Sequence, residues 1–350
     1  MTEFLGMLRS WIFCAMAAAS LPTFAAPVID ALARPAVATP AAVKAYLTSV
    51  AVAGKRLVAA GERGVVLLSD DGGASWKQAA VPVSVSLTAL HFVDDQRGYA
   101  VGHAGVVLGT TDGGQSWSKL LDGERAAQLL LDAAKRSGNA AALQEATRVA
   151  ADGPDKPLLD LHFFDGKRGL VVGAYNLAFE TLDGGASWTA VSDRFDNAGG
   201  FHLYAMRVRG RTVVLAGEQG TAFRSDDEGH SFRRMTVPYK GSFFTAELPS
   251  EHEILLGGLR GNVWRSLDRG ATWTQVPMAS QASIVASAQS SSGRLLLVNQ
   301  AGDAFVGHGD QFRSVAHRIP PLNGLVTLPD GRVLGASRFG PVVLDAGSVQ

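Results

Sequence analysis

The residues of this chain that could do chemistry recur at intervals instead of gathering in one motif. Five aspartates, Asp71, Asp112, Asp183, Asp227 and Asp268, each hold the third place of one octet, Ser/Thr-x-Asp-x-Gly-x-Ser/Thr-aromatic. The octets end in Trp76, Trp117, Trp188, Phe232 and Trp273. An aspartate beside hydroxyl side chains can serve as an acid, a base or a nucleophile, or it can accept backbone N–H bonds and close a tight turn. The surroundings favour the turn. Each octet follows a short apolar run, such as Val65–Leu68 or Val106–Leu108, and precedes a polar stretch, which is the pattern of a β-hairpin. Four of the six tryptophans take the last place of an octet, which suits a wedge repeated between packed sheets. These Asp and aromatic residues are therefore read as structural.

Octets of this kind, Asp boxes, occur in sialidases, so a glycan-processing or glycan-binding protein is the alternative they raise. Glycoside hydrolysis needs paired carboxylates at one mouth with an activated nucleophile. Here the acidic residues lie in turns, and no tyrosine has a carboxylate beside it in the sequence. The Arg318–Pro320 tripeptide, Arg-Ile-Pro, falls late in the chain and is read as chance. No H-E-x-x-H, Walker loop or G-x-S-x-G occurs. His91 and His162 stand at matching strand positions in separate repeats and are expected to line or pack a channel, without enough partners for a metal. No catalytic residue, cofactor or metal is assigned.

The octets start 41, 71, 44 and 41 residues apart, a period that marks one supersecondary unit repeated, with about four strands per unit. Just upstream of each box lies a second pattern, G-x-x-G: Gly61–Gly64, Gly102–Gly105, Gly217–Gly220 and Gly258–Gly261, with the variant Gly173–Asn176. Decayed copies at Asn299–Gly302 and Ser337–Gly340 raise the count to seven. The expected fold is all-β, a seven-bladed β-propeller. If each unit runs as four antiparallel strands from the axis outward, the boxes are turns between the third and fourth strands. The G-x-x-G turns join the second and third, on the opposite face. Their tips place Arg63, His103, Tyr175, Gln219, Arg260, Gln300 and Arg338 around one mouth, and Lys240, on a connection between units, joins them. These eight are the candidate partner-binding residues, because loops on a rigid scaffold carry function and arginine suits carboxylate or amide recognition. A second arginine series, Arg56, Arg97, Arg168, Arg294 and Arg332, begins the second strands on the box face and is read as structural pairing.

Residues 1–25 read as a leader: Arg9, the apolar stretch Trp11–Ala19 and a small-residue cleavage site at Thr23–Ala25. That apolar stretch falls short of the ~20 residues a membrane span needs. Cys14, the one cysteine, lies inside it after Phe13, a poor fit to an acylation site. The remainder divides into residues 26–40, expected as a closing strand and linker, and 41–350, the propeller. The last unit shows three strands, so Pro27–Val37 is expected to supply its outer strand beside Val342–Leu344. Residues 119–157 break the repeat. Within them Glu124–Arg136 and Ala140–Ala151, rich in helix formers and separated by Ser137-Gly138-Asn139, predict a helical hairpin between the second and third blades. That hairpin should rise from the G-x-x-G mouth. Lys+Arg and Asp+Glu balance at 32 each, so no overall field draws the protein to nucleic acid.

Leu90–Gly102 (LHFVDDQRGYAVG) and Leu161–Gly173 (LHFFDGKRGLVVG), each leading through its turn into an Asp box, resemble the photosystem II stability/assembly-factor-like family of BNR/Asp-box propellers. The resemblance extends over residues 27–350. It implies an exported, non-enzymatic scaffold that holds partly assembled membrane proteins, in part through a basic patch, for which Arg63, Arg260 and Arg338 are the best-placed positions. The expected function is thus binding of a membrane-associated protein partner after export, periplasmic or otherwise, with no nucleic acid involved.

Overall fold

The computed structural model describes residues 30–316 and 319–349. The leader, Pro27–Ile29 and Arg318 lie outside the described residues. Seven antiparallel sheets follow one another along the chain, six of four strands and a last one of three. The first runs Leu47–Ala53, Arg56–Gly61, Val66–Ser69 and Lys77–Gln78, each strand bonded to the next. Second strands such as Gly98–Gly102 and Gly169–Gly173 are buried along their whole length, which explains their unbroken apolar composition. The innermost strands are Leu47–Ala53, Leu87–Phe92, Leu158–Phe163, Leu203–Arg209, Phe243–Glu247, Ile284–Gln289 and Leu322–Thr327. Each lies against the next, and the seventh lies against the first, where Asn323 Nδ2 donates to Leu47 O at 2.6 Å.

This is the all-β architecture expected of a propeller. The core is a set of apolar layers between neighbouring sheets, not one central mass. Trp117 packs in the layer with Val58, Leu68 and Val106, and Trp188 meets the ring of Phe163 edge-on at 6.3 Å in the next layer. Each box aromatic therefore belongs to an interface between sheets. Its burial couples one repeat to its neighbour, the nearest-neighbour logic of repeat proteins.

Between the second and third sheets the chain forms two helices, α1 (Gly123–Ser137) and α2 (Ala140–Asp152). Asp122 caps α1 by accepting from Arg125 N at 3.1 Å, and Gly138, with φ 66°, ends it in the left-handed conformation that glycine tolerates. Asn139 then accepts from Ala141 N and Ala142 N and starts α2. Ala126, Leu129 and Leu130 of α1 pack on the apolar layer that holds Trp188.

The N-terminal segment corrects one expectation. The seventh sheet, Leu322–Thr327, Val333–Ser337 and Gly340–Leu344, keeps three strands, and the described part of Pro27–Val37 does not pair with Val342–Leu344. It runs instead along the connection between the first two sheets: Ser84 N donates to Ala31 O at 2.8 Å and Ala36 N to Val81 O at 3.0 Å. Leu32, 5% exposed, explains the choice, because it drops into the layer with Val81, Val83 and Trp117. Pro35 has no N–H to give a ladder. Only beyond it does the short 3-10 turn Pro40–Lys44 reach the Gly340–Leu344 strand.

Leu32→Ala should cost about 2–3 kcal/mol through lost apolar burial and the cavity left behind. Calorimetry should show a melting temperature lower by several degrees, and an unchanged melt would mean this segment does not tie the first two sheets together.

Candidate functional site

The two faces of the disc are built from two kinds of turn. On one face, each box carboxylate organises its own loop. In the third sheet Asp183 Oδ1 accepts from Ser187 N at 2.8 Å and from Thr181 Oγ1 at 2.8 Å, while Oδ2 accepts from Ser187 Oγ at 2.6 Å. Trp188 Nε1 then donates to Gly185 O at 3.1 Å. The same contacts recur around Asp71, Asp112, Asp227 and Asp268. Asp71, Asp183 and Asp268 are held at about 2, first by the side-chain hydroxyl of Ser75, Ser187 or Thr272 and then by the backbone N–H of the same residue. Carboxylates so engaged serve the turn and are not free to act as acid, base or nucleophile.

The second arginine series supports this face. Arg56 Nε donates to Asp70 at 2.6 Å and its Nη1 to Gly113 O, in the next sheet's box, at 3.0 Å. Arg332 Nη1 reaches Gly72 O of the first sheet at 3.0 Å, and Arg168 Nη2 reaches Glu228 O at 2.7 Å. These three fasten one sheet's loop to its neighbour's. Arg97 pairs within its own turn, Nε to Asp94 Oδ2 at 2.8 Å, whereas Arg294 is exposed and its side chain makes no ion pair or hydrogen bond among the described residues, so the pairing expected of it does not occur.

The opposite mouth is built from the G-x-x-G turns. Glu62 N donates to Tyr46 O at 2.9 Å, and Val65 N to Glu62 O at 2.9 Å, so the loop folds back against its own inner strand. A Cβ at Gly61 would overlap Tyr46 O, and one at Gly64 would overlap Val83 O, so both ends of the turn require glycine. Of the residues between them, Arg63, His103, Tyr175, Gln219 and Arg260 are exposed, whereas Ala174 is buried and Glu62 and Glu218 accept from Tyr46 N and His202 N. The tip residue adopts left-handed backbone although it is not glycine: Arg63 (φ 53°), Ala104 (55°), Tyr175 (54°), Gln219 (51°) and Arg260 (57°). Side chains in that region carry a steric cost of about 1–2 kcal/mol each. Glu228 and Arg269 of the box loops adopt the same conformation on the other face, so the strain belongs to tight turns on both sides of the disc.

The structure places Arg63, His103, Tyr175, Gln219, Lys240, Arg260, Gln300 and Arg338 on this mouth, all exposed. Lys240 stands beside the fourth turn, where Gly220 N donates to Gly241 O at 2.8 Å, and Gln300 N donates to Ser283 O at 3.0 Å. Arg63, Lys240, Arg260 and Arg338 form no ion pair among the described residues. The contrast with Arg56, Arg168 and Arg332 separates surface cations available to a ligand from cations spent on the scaffold.

Apolar surface accompanies them. Tyr46, Tyr175, Leu259 and Phe339 are 45%, 43%, 38% and 69% exposed on the same mouth, and Arg338 lies over the Phe339 ring at 5.0 Å. Tyr46, Leu259 and Phe339 are additions to the sequence reading. Leu259 and Phe339 share the two free places of the turn with Arg260 and Arg338, so the repeat itself held the signal. The helices border this patch. Arg148 of α2 and Lys156 just beyond it lie 5.9 and 5.5 Å from the Tyr175 ring centre, and the His202 ring lies 4.7 Å from it. Lys156 is itself held by Asp152, at 3.1 Å, and by Asp155.

A ring of antiparallel sheets with Asp boxes on one face and glycine-bounded tips on the other defines an Asp-box β-propeller. The model of the family described as Photosynthesis system II assembly factor YCF48 matches residues 74–142 and 139–313, and the chain belongs to that family. A curated relative, the photosystem II assembly lipoprotein Ycf48 of Synechococcus sp. (strain CC9902), is 25% identical over 202 residues, 54% of this chain and 59% of the relative. The chain thus spans less than two thirds of that relative's length. The solved structure of YCF48 from Cyanidioschyzon merolae is similar with a TM-score of 0.66 and 13% identity, covering 90% of this chain and 99% of that one. A structure described as YCF48 bound to D1 peptide is similar with a TM-score of 0.43 and 20% identity, covering 51% of this chain and 59% of that one.

The box aspartates give the fold an acid-sensitive edge. The folded values of Asp71, Asp183 and Asp268, about 2, lie below the ordinary 3.8, so their stabilising contribution is complete above about pH 4 and is lost as pH falls through 2. The melting temperature should fall across that interval. In an Asp71→Asn/Asp183→Asn/Asp268→Asn variant it should fall less steeply, from a lower starting value.

Proposed function

We propose that this protein is an exported, non-enzymatic scaffold that binds a protein partner and assists assembly or stability of a membrane-associated complex. One observation carries the reading: four cations without an ion-pair partner among the described residues and four exposed aromatic or aliphatic side chains share the G-x-x-G mouth. Arginine and tyrosine are the side chains most enriched in the energetically dominant part of protein interfaces. Membership of an assembly-factor family, and the printed role of the curated relative in photosystem II assembly, support a partner that is itself a protein being assembled at a membrane.

The binding face comprises Arg63, His103, Tyr175, Gln219, Lys240, Arg260, Gln300 and Arg338, extended by Tyr46, Leu259 and Phe339 and bordered by α2. In this reading the described chain is one closed seven-bladed disc with the helical hairpin as part of its binding rim. Residues 1–25 are removed on export, which puts the mature protein in the compartment where such a partner exposes its non-membrane segments. No helix among the described residues is long and apolar enough to cross a bilayer, so contact with the membrane runs through the partner or through parts of the protein outside them. The engagement of the five box aspartates in their own turns supports a binding role over glycan hydrolysis.

Replacing Arg63, Arg260 and Arg338 together by Ala should weaken capture of the partner from detergent-solubilised membranes at least tenfold, since interface arginines of this kind contribute about 1–2 kcal/mol or more each. The melt should stay unchanged, because none of the three is buried or paired. Undiminished capture would move the binding face elsewhere. Hydrolysis of, or micromolar binding to, a sialoside in a glycan screen would favour the glycan reading.

A further inference from the structure

The axis of the disc holds a second site, independent of the mouth. The innermost strands surround a channel cavity of about 570 Å³, within the size range of small-ligand sites. The fifth residue of each inner strand stands at one level of the ring: Ala51, His91, His162, Arg207, Glu247, Ala288 and Val326, paired in register with Val58, Tyr99, Leu170, Val214, Leu255, Leu296 and Leu334, and all but His162 line the cavity. Polar side chains occupy four consecutive sheets, the second to the fifth. Small or apolar ones occupy the other three. A ring that served only to pass water would have no reason to be divided this way.

The charged half is arranged but not saturated. Arg207 lies between two carboxylates, 3.5 Å from Asp160 Oδ2 and 3.6 Å from Glu247 Oε1, too far for a direct hydrogen bond to either. Asp160 is used structurally, accepting from Met206 N at 2.7 Å and from Leu161 N at 2.9 Å. Glu247 Oε1 accepts from Ser287 Oγ at 2.7 Å, and Arg207 Nη1 donates to Met206 O at 2.8 Å. Among the described residues, Arg207 Nη2 and Glu247 Oε2 have no partner. A donor cation and an acceptor anion therefore stand side by side facing the cavity, across from a wall where Ala51, Ala288 and Val326 alternate with Ser49, Ser287 and Asn323. His91 is lowered to about 4 and His162 to about 3, both first by burial, so both rings are neutral near pH 7 and add no charge to this pair.

We infer that the channel binds a free α-amino acid with an apolar side chain, its carboxylate on Arg207, its ammonium on Glu247 and its side chain toward Ala51, Ala288 and Val326. A zwitterion satisfies both open groups at once. A simple carboxylate would face Glu247 and a simple amine would face Arg207, each with a like charge. The open Nη2 can donate to a carboxylate, while the bond from Nη1 to Met206 O fixes where the guanidinium sits.

Isothermal titration of the purified protein with L-leucine, L-alanine, isovalerate and isoamylamine tests this. Leucine should bind at micromolar to low-millimolar concentration, and isovalerate and isoamylamine at least tenfold more weakly. Arg207→Met and Glu247→Gln should each weaken leucine at least tenfold. Ala288→Leu, which narrows the facing wall without touching a charge, should weaken leucine more than alanine and keeps the test decisive if a charge variant misfolds. No binding of either amino acid to the unaltered protein, or equal binding of isovalerate or isoamylamine, would overturn the assignment. So would leucine affinity unchanged in a folded Arg207→Met variant.

Discussion

The box carboxylate is the interaction on which the rest of the disc depends. One aspartate gathers two hydroxyls and a backbone N–H, and the turn so formed offers a glycine carbonyl to the indole N–H of the following tryptophan. With its one polar atom satisfied locally, the indole can lie in the dry layer between sheets without a buried unpaired donor. Phe232 does the same without needing that bond. Because the sheets touch only their neighbours, a wedge fixed in each of five layers sets the spacing of most of the ring. The arginines Arg56, Arg168 and Arg332 tighten the same seam from the surface.

Strand alternation then divides labour between the faces. Four antiparallel strands put the first and third turns on one side and the second on the other. On the side that carries the boxes, the aspartates are engaged within their own turns. On the other side, glycines at both ends of a two-residue loop pull the backbone against the inner strand and the incoming connection. At least one side chain of each such loop, among them Arg63, His103, Tyr175, Gln219 and Arg260, is left exposed. Rigid placement of exposed arginine and aromatic side chains lowers the entropy lost on binding. The helices α1 and α2 stand on that side through their packing on the third sheet.

Much of this was legible in the sequence because the repeat is enforced by backbone geometry. Glycine at Gly61 and Gly64 and aspartate in the boxes are required wherever the turn recurs, so they mark strand order and face. Where geometry does not constrain residue type, the sequence was silent. Pro27–Val37 looked like a missing strand from its place in the count, but Leu32 finds more apolar burial between the first and second sheets than an exposed edge provides. Phe339 and Leu259 went unnoticed because an apolar residue in a strand-rich chain reads as core. The divided channel was invisible for another reason: Asp160, Arg207 and Glu247 lie far apart in the chain, and only strand register brings them to neighbouring positions.

The account turns on which face meets the partner, and both faces expose apolar side chains that can report it. Leu182 and Leu267 are 65% and 60% exposed on the box side, while Tyr175 and Phe339 are exposed on the other. A photo-crosslinking amino acid placed singly at these four positions, followed by illumination in the native membrane environment, reads the contact directly. Adducts to a membrane-associated protein from positions 175 and 339, and none from 182 and 267, are the predicted result. Adducts confined to 182 and 267 would contradict it.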